Sequence, residues 1–243
     1  MKGKSLFSTL AVLLIGSMAS PALAIDIGGL GKKSGGVDVG QALTAGSDLI
    51  GYVTVATDLG NQAADLLVGM YPPEKVKDVA KLSQQIAELK GKAKDGNVDA
   101  EQLKLSEDRS AALEKMKKEG QLKDFNKEKT GNVSKAYGKL GLMVLADGVA
   151  ATKVKPTVDG LQAALNQVTK DPTQAGKLET IKYQIATLTA VGAALPKQIS
   201  SANSVRSICS EIAAAEKMKL PTEFSPDSAK DSSSIKAASK SID

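Results

Sequence analysis

Histidine and tryptophan are both absent from the 243 residues, and cysteine occurs once, at Cys209. Without histidine there is no Ser-His-Asp or Cys-His catalysis, no imidazole metal ligand and no ordinary switch near neutral pH. A single cysteine excludes thiolate zinc sites and any disulfide within the chain. Aromatic residues make up only 3%, too few for the stacking platforms that hold single-stranded nucleic acid or sugar rings. The formal net charge of +5 is mild and does not imply a nucleic-acid partner. Carboxylates are plentiful, but no pair stands out as a general acid and base. No catalytic, cofactor-binding or metal-binding residue is nominated, and the chain is expected to be non-enzymatic and to use no cofactor.

What is present begins with a targeting signal. Lys2 and Lys4 precede the apolar run "LFSTLAVLLIG", and "SMASPALA" ends in Ala22-Leu23-Ala24. The run is shorter than the ~20 residues a bilayer span requires, and small-x-small is the pattern signal peptidase accepts. Residues 1–24 are therefore expected to be a signal peptide cleaved near Ala24, which places the mature protein in a Gram-negative periplasm or outside the cell. Loss of Lys2 and Lys4 leaves a mature charge of 5 − 2 = +3.

"IDIGGLGKKSGGVDVG" follows, Ile25 to Gly40. A P-loop needs Gly, four residues, Gly-Lys and then Ser or Thr. Here Gly31-Lys32 is followed by Lys33, and Asp26 stands at the first glycine position. In the dinucleotide fingerprint Gly29 and Gly31 fit, but Ser34 takes the third glycine position. Both motifs also need a strand before them. Residues 25–40 are expected to be a flexible leader.

From Gln41 onward helix formers dominate and apolar residues recur every three to four positions, so the expected fold is all-α. A first helix runs from Gln41 to about Met70, where Pro72 and Pro73 stop it. The second carries Val76, Val79, Leu82, Ile86 and Leu89 on one stripe. The third spans about Asp99 to Lys118. A fourth, apolar helix ends at Pro156, and a shorter one takes "TVDGLQAALNQVTK". Leu178, Ile181, Ile185 and Leu188 then form the cleanest heptad seam, with a gap at Gly192 and an end or kink at Pro196. The last helix covers about Lys197 to Lys217. Residues 222–243 are rich in Ser, Ala, Lys and Asp and are expected to be a disordered polar tail. Residues 41–221 would then form one antiparallel helical bundle, whose helices of ~30 to 45 Å allow an elongated shape.

Several stretches invite a functional reading. "KDGNVDAEQL" is like the later half of an EF-hand loop, but Gly91 and Ala93 replace its first two carboxylates and Gln102 its terminal Glu. "LGLMVLADGVAAT", Leu140 to Thr152, carries Gly141 and Gly148 after Gly138. It reads as the most buried helix, with a membrane-inserting segment as the alternative that Asp147 and its shortness disfavour. "EKMKKEGQLKDFNKEK" interleaves acids with bases, which describes a solvated surface. Cys209, beside Ile208 and Ile212, suits a partly buried inert thiol. Ser233 and Lys236 spell Ser-x-x-Lys in a region where no pocket is expected.

The signal with "DIGGLGKKSGGVDVG", and the ending "ATLTAVGAALPKQI…AAAEKMKLPTEF", resemble uncharacterised exported helical proteins of Gram-negative bacteria. The resemblance covers both ends of the chain and implies an exported helical domain, with no activity attached. The expected function is protein–protein interaction or self-association in the cell envelope, with an unknown envelope protein or the chain itself as partner. Membrane contact through 140–152 is the alternative.

Overall fold

A computed structural model describes residues 37–92 and 100–243. The expected signal segment, residues 25–36 of the expected leader and most of the EF-hand-like stretch lie outside them. Six α-helices are present among the described residues, and no strand: α1 Val39–Val68, α2 Lys77–Lys92, α3 Ala100–Lys118, α4 Gly131–Val168, α5 Leu178–Ala215 and α6 Ser232–Lys240. Short 3₁₀ turns occupy Gln121–Lys123, Lys127–Lys129, Pro172–Lys177 and Pro226–Ala229.

α1 starts where the glycine-rich stretch ends. The Asp38 carboxylate accepts from the Gln41 backbone N–H at 3.1 Å, satisfying one of the free donors of the first turn. Residues 39 and 40, expected to be leader, are thus helical, and Val39 is already buried.

α4 is the centre of the molecule. It packs along α1 on one side and α5 on the other, while α2 and α3 pack on each other and α3 on α5. Partners on α4 descend in residue number as those on α1 ascend. Gly46 lies against Leu161, Gly60 against Met143, and the Leu66 carbonyl accepts from Asn132 Nδ2 at 3.1 Å. The same reversal relates α4 to α5, with Gly141 against Arg206 and Val154 against Gly192. The gap at Gly192 in the α5 seam is therefore a socket. A Cβ there would sit 2.9 Å from Val154 Cγ1, so the missing side chain is what admits the valine.

The two interior prolines do not divide their helices as expected. α4 runs through Pro156 and α5 through Pro196. Proline removes one intrahelical hydrogen bond and crowds the carbonyl four residues back. Both prolines are exposed, so that loss falls on the solvent side. The residues flanking them, Val154 and Thr157 in α4 and Leu195 and Gln198 in α5, are all buried and hold both halves on one core. Each helix consequently has 38 residues, or ~57 Å at ~1.5 Å per residue.

The heptad seam faces inward. Ile181 and Leu188 are fully buried, and Leu178 and Ile185 are partly buried against the same core. Among the described residues Tyr183 is the exposed large hydrophobic side chain, so the seam does not supply a free apolar face. Among the described residues no helix is long and apolar enough to cross a membrane.

Replacing Pro196 by Ala restores the N–H that the Gly192 carbonyl lacks and should stabilise the fold. A gain of about 1–3 kcal/mol is expected, up to the full interior penalty of proline, seen as a higher denaturation midpoint. A lower midpoint would show that α5 needs the proline bend to seat Leu195 and Gln198.

Candidate functional site

The described tail is not disordered. The expectation for 222–243 rested on average composition, and the structure shows what that average concealed. Asp231 caps α6, accepting from the Ser234 N–H at 2.7 Å, which holds its carboxyl below the usual range. Ile235 and Ala229 are fully buried. An isolated nine-residue helix is unstable in water, so the ordering comes from what α6 docks against. That is a groove along α1 and α4.

The groove contributes specific partners. Tyr52 of α1 is buried, and its hydroxyl donates to the Ala229 carbonyl at 2.5 Å. Lys139 of α4 is only 2% exposed. Its ammonium donates to Gln62 Oε1 at 3.1 Å and Ser239 Oγ at 3.4 Å, and lies 2.7 Å from Asp243 Oδ1. Lys135, one turn earlier, donates to the Asp243 carbonyl at 2.7 Å. The two lysines keep the Asp243 carboxyl below its usual range, Lys139 foremost. Ile242 lies over Gly138, where a Cβ would approach to 3.3 Å. Where the tail enters the groove, Glu223 accepts from Arg206, whose guanidinium stacks 4.3 Å from the Tyr137 ring centre. Gly138 and Gly141 receive this segment and Arg206, while Gly148 faces open space.

Asp147 is fully buried on α4, and neither carboxylate oxygen has a hydrogen-bond partner among the described residues. Burial pushes its pKa up to about 8, so it is a neutral acid at pH 7. It lies close enough to Tyr52 to act on it. Burial first, then Asp147 and Asp231, raise the phenol above its ordinary range. Leu140, Met143, Asp147, Ala150 and Val154 are all buried and spaced 3, 4, 3 and 4. That register could have flagged Asp147 as an acid inside a core seam. Lys139, flanked by apolar residues, offered no such signal.

A second polar knot joins the smaller helices to the rest. Arg109 of α3 is 2% exposed. It donates to Asp65 Oδ1 at 3.1 Å, Ser83 Oγ at 3.0 Å and Asn61 Oδ1, tying α3 to α1 and α2. Burial lowers its pKa, opposed by Asp65, yet a guanidinium stays charged in proteins. Beside it lies a cavity of about 30 Å³ bordered by Thr57, Met143 and Gln198, with room for about two waters. The Thr57 hydroxyl and the Gln198 amide have no protein partner among the described residues.

Gln102 is buried and Gly91 exposed, and no group of three His, Cys, Asp or Glu among the described residues is placed to hold a metal. In the lysine-rich stretch, Lys117 pairs with Glu211 and Lys127 with Glu216, while Lys129 donates to the Gly69 carbonyl. Leu140 to Thr152 forms the middle of α4, with Leu142, Ala146 and Ala150 fully buried. Cys209 is fully rather than partly buried, and burial pushes its thiol up to about 12. Ser233 and Lys236 are both exposed on α6.

Asp147 sets a pH dependence whose sign is fixed. Its folded pKa lies above its unfolded value, so the native state holds the proton more tightly. The associated stability is complete below about pH 4 and is lost as pH rises to about 8. The expected slope is about 1.4 kcal/mol per pH unit. Asp147→Asn removes that slope, so its advantage over the parent in chemical denaturation should grow across this window. Parallel profiles for the two proteins would contradict the assignment.

No protein-family model matches this chain, and no curated protein or solved structure is detectably similar to it.

Proposed function

We propose that the protein is an exported, non-enzymatic antiparallel helical bundle that acts in the cell envelope by binding a partner protein or itself. The observation that carries this reading is the α1–α4 groove with a helical segment bound in it. The groove combines a slot for a buried aliphatic side chain, a phenol that donates to a backbone carbonyl and two lysines that hold an acidic residue. These are the elements of helix-in-groove recognition, in which apolar anchors give affinity and polar partners fix register. The reversed order of contacts along α1, α4 and α5 supports the antiparallel arrangement. The signal-like first 24 residues support export.

The test is site-specific photocrosslinking in intact cells. A photoreactive residue at the exposed Lys236, on α6, should give adducts with a second copy or one envelope protein. The same residue at the exposed Lys155, on α4, should give none, and the recovered chain should begin at Ile25. Absence of adducts from position 236, or a cytoplasmic chain that keeps residues 1–24, would overturn the reading.

A further inference from the structure

The groove already has an occupant, and the way this segment is attached determines what else can fill the site. Between Ala215 and Pro226 there is no helix, and residues 218–225 have neither helix nor turn. Among the described residues, the one backbone–backbone bond made by their N–H groups is Met218 N–H to the Ala213 carbonyl at 2.8 Å. That bond, with Lys217 N–H to the Ala214 carbonyl at 3.3 Å, closes α5 in a Schellman turn. The residue in the left-handed position of the turn is lysine, with φ 53, where glycine is usual because a Cβ is disfavoured there.

Beyond this turn the segment is held by separable contacts. Ile235 and Ala229 fill the slot, Tyr52 donates to Ala229, and Lys135 and Lys139 hold Asp243. None of these contacts requires that segment and groove belong to the same molecule. Residues 218–225 can span up to about 26 Å when extended, enough to carry the segment off its own groove. If Lys217 moves to a right-handed conformation, α5 can continue toward Pro221 and direct the segment away from the body.

We propose that this groove is a self-association site, occupied in the associated form by residues 226–243 of a second copy, with the two copies exchanging these segments reciprocally. The inference rests on the protein-binding function proposed above and names the partner. Exchange of an identical element recreates the contacts that residues 226–243 make in the closed form, so their groove needs no new surface, while the Glu223–Arg206 pair and the turn at Lys217 are given up. The left-handed lysine is relieved only when the segment leaves, which favours opening. The charge match selects the occupant. Lys139 is enclosed and needs a carboxylate, which Asp243 provides at the far end of the segment from Ala229.

Charge reversal provides the test. Lys139→Glu alone sets a groove carboxylate against the carboxylate of Asp243. Asp243→Lys alone sets a second ammonium against that of Lys139. Each change therefore weakens both closing on itself and pairing with its own kind. In an exchanged pair of the two variants both grooves are matched: one holds the native Lys139–Asp243 pair and the other the same pair with its charges reversed, so a mixture is the sole route to a matched groove. Sedimentation of an equimolar mixture should show a dimer fraction at least about tenfold above either variant alone, because an ion pair broken in both parents is restored.

A second arm holds if the buried charge change prevents folding. Gly138→Cys with Ile242→Cys leaves Lys139 and Asp243 paired and should, on oxidation, give a covalent dimer whose share rises with protein concentration, the native thiol at Cys209 being enclosed. Adding Lys217→Gly should lower that share, since glycine suits the closed turn. Folded monomers in the mixture, or crosslinks confined to single chains at every concentration, would overturn exchange. Adducts with a different envelope protein from position 236 would then leave the wider function standing.

Discussion

The ammonium of Lys139 is enclosed in the bundle, and a charge taken out of water must be met by oxygen ligands. α1 supplies one ligand, Gln62, and the others, Ser239 and Asp243, come from the end of the described chain. The order of residues 226–243 follows from that requirement together with the slot for Ile235. A segment too polar to form a core of its own is fixed by a charge and a cavity that belong to other helices.

The rest of the interior shows comparable economy. With one cysteine and few aromatic residues, the helices are fastened by close approach and by buried polar side chains. Gly192 accepts Val154, Arg109 joins three helices, and Gln184 of α5 donates to the Leu43 carbonyl and to Ser47 of α1. These cross-links fix register, since each polar atom must find one particular partner. Asp147, like Thr57 and Gln198, is an exception. It has no hydrogen-bond partner among the described residues and is kept neutral by burial beside Tyr52. The phenol that holds Ala229 therefore sits close to a group whose ionisation depends on pH.

Much of the fold was legible in the sequence because it depends on local pattern. The spacing of Leu178, Ile181, Ile185 and Leu188 marks the inward face of α5, and the limits of α3 follow from its composition. The prolines misled because sequence alone does not say which way they point. On the solvent side, Pro156 and Pro196 leave their helices continuous. The tail misled for a different reason. Its mean composition is polar, yet docking depends on Ala229, Ile235, Ile242 and Asp243 at particular positions, and on Tyr52 and Lys139 far away in the chain. Such long-range complementarity leaves no periodic trace within the segment itself.

Residues 226–243 are held in the groove by Lys139, Tyr52 and the slot for Ile235, and everything proposed for the protein depends on that docking. Amide hydrogen exchange across α6 in the full chain tests it directly. Docking predicts that the amides of Ile235 to Lys240 are protected well beyond a free peptide of the same sequence, yet open before those of α4, because the segment can detach without unfolding the bundle. Exchange at the free-peptide rate would contradict the account, since it would return these residues to the disordered tail that their composition suggests.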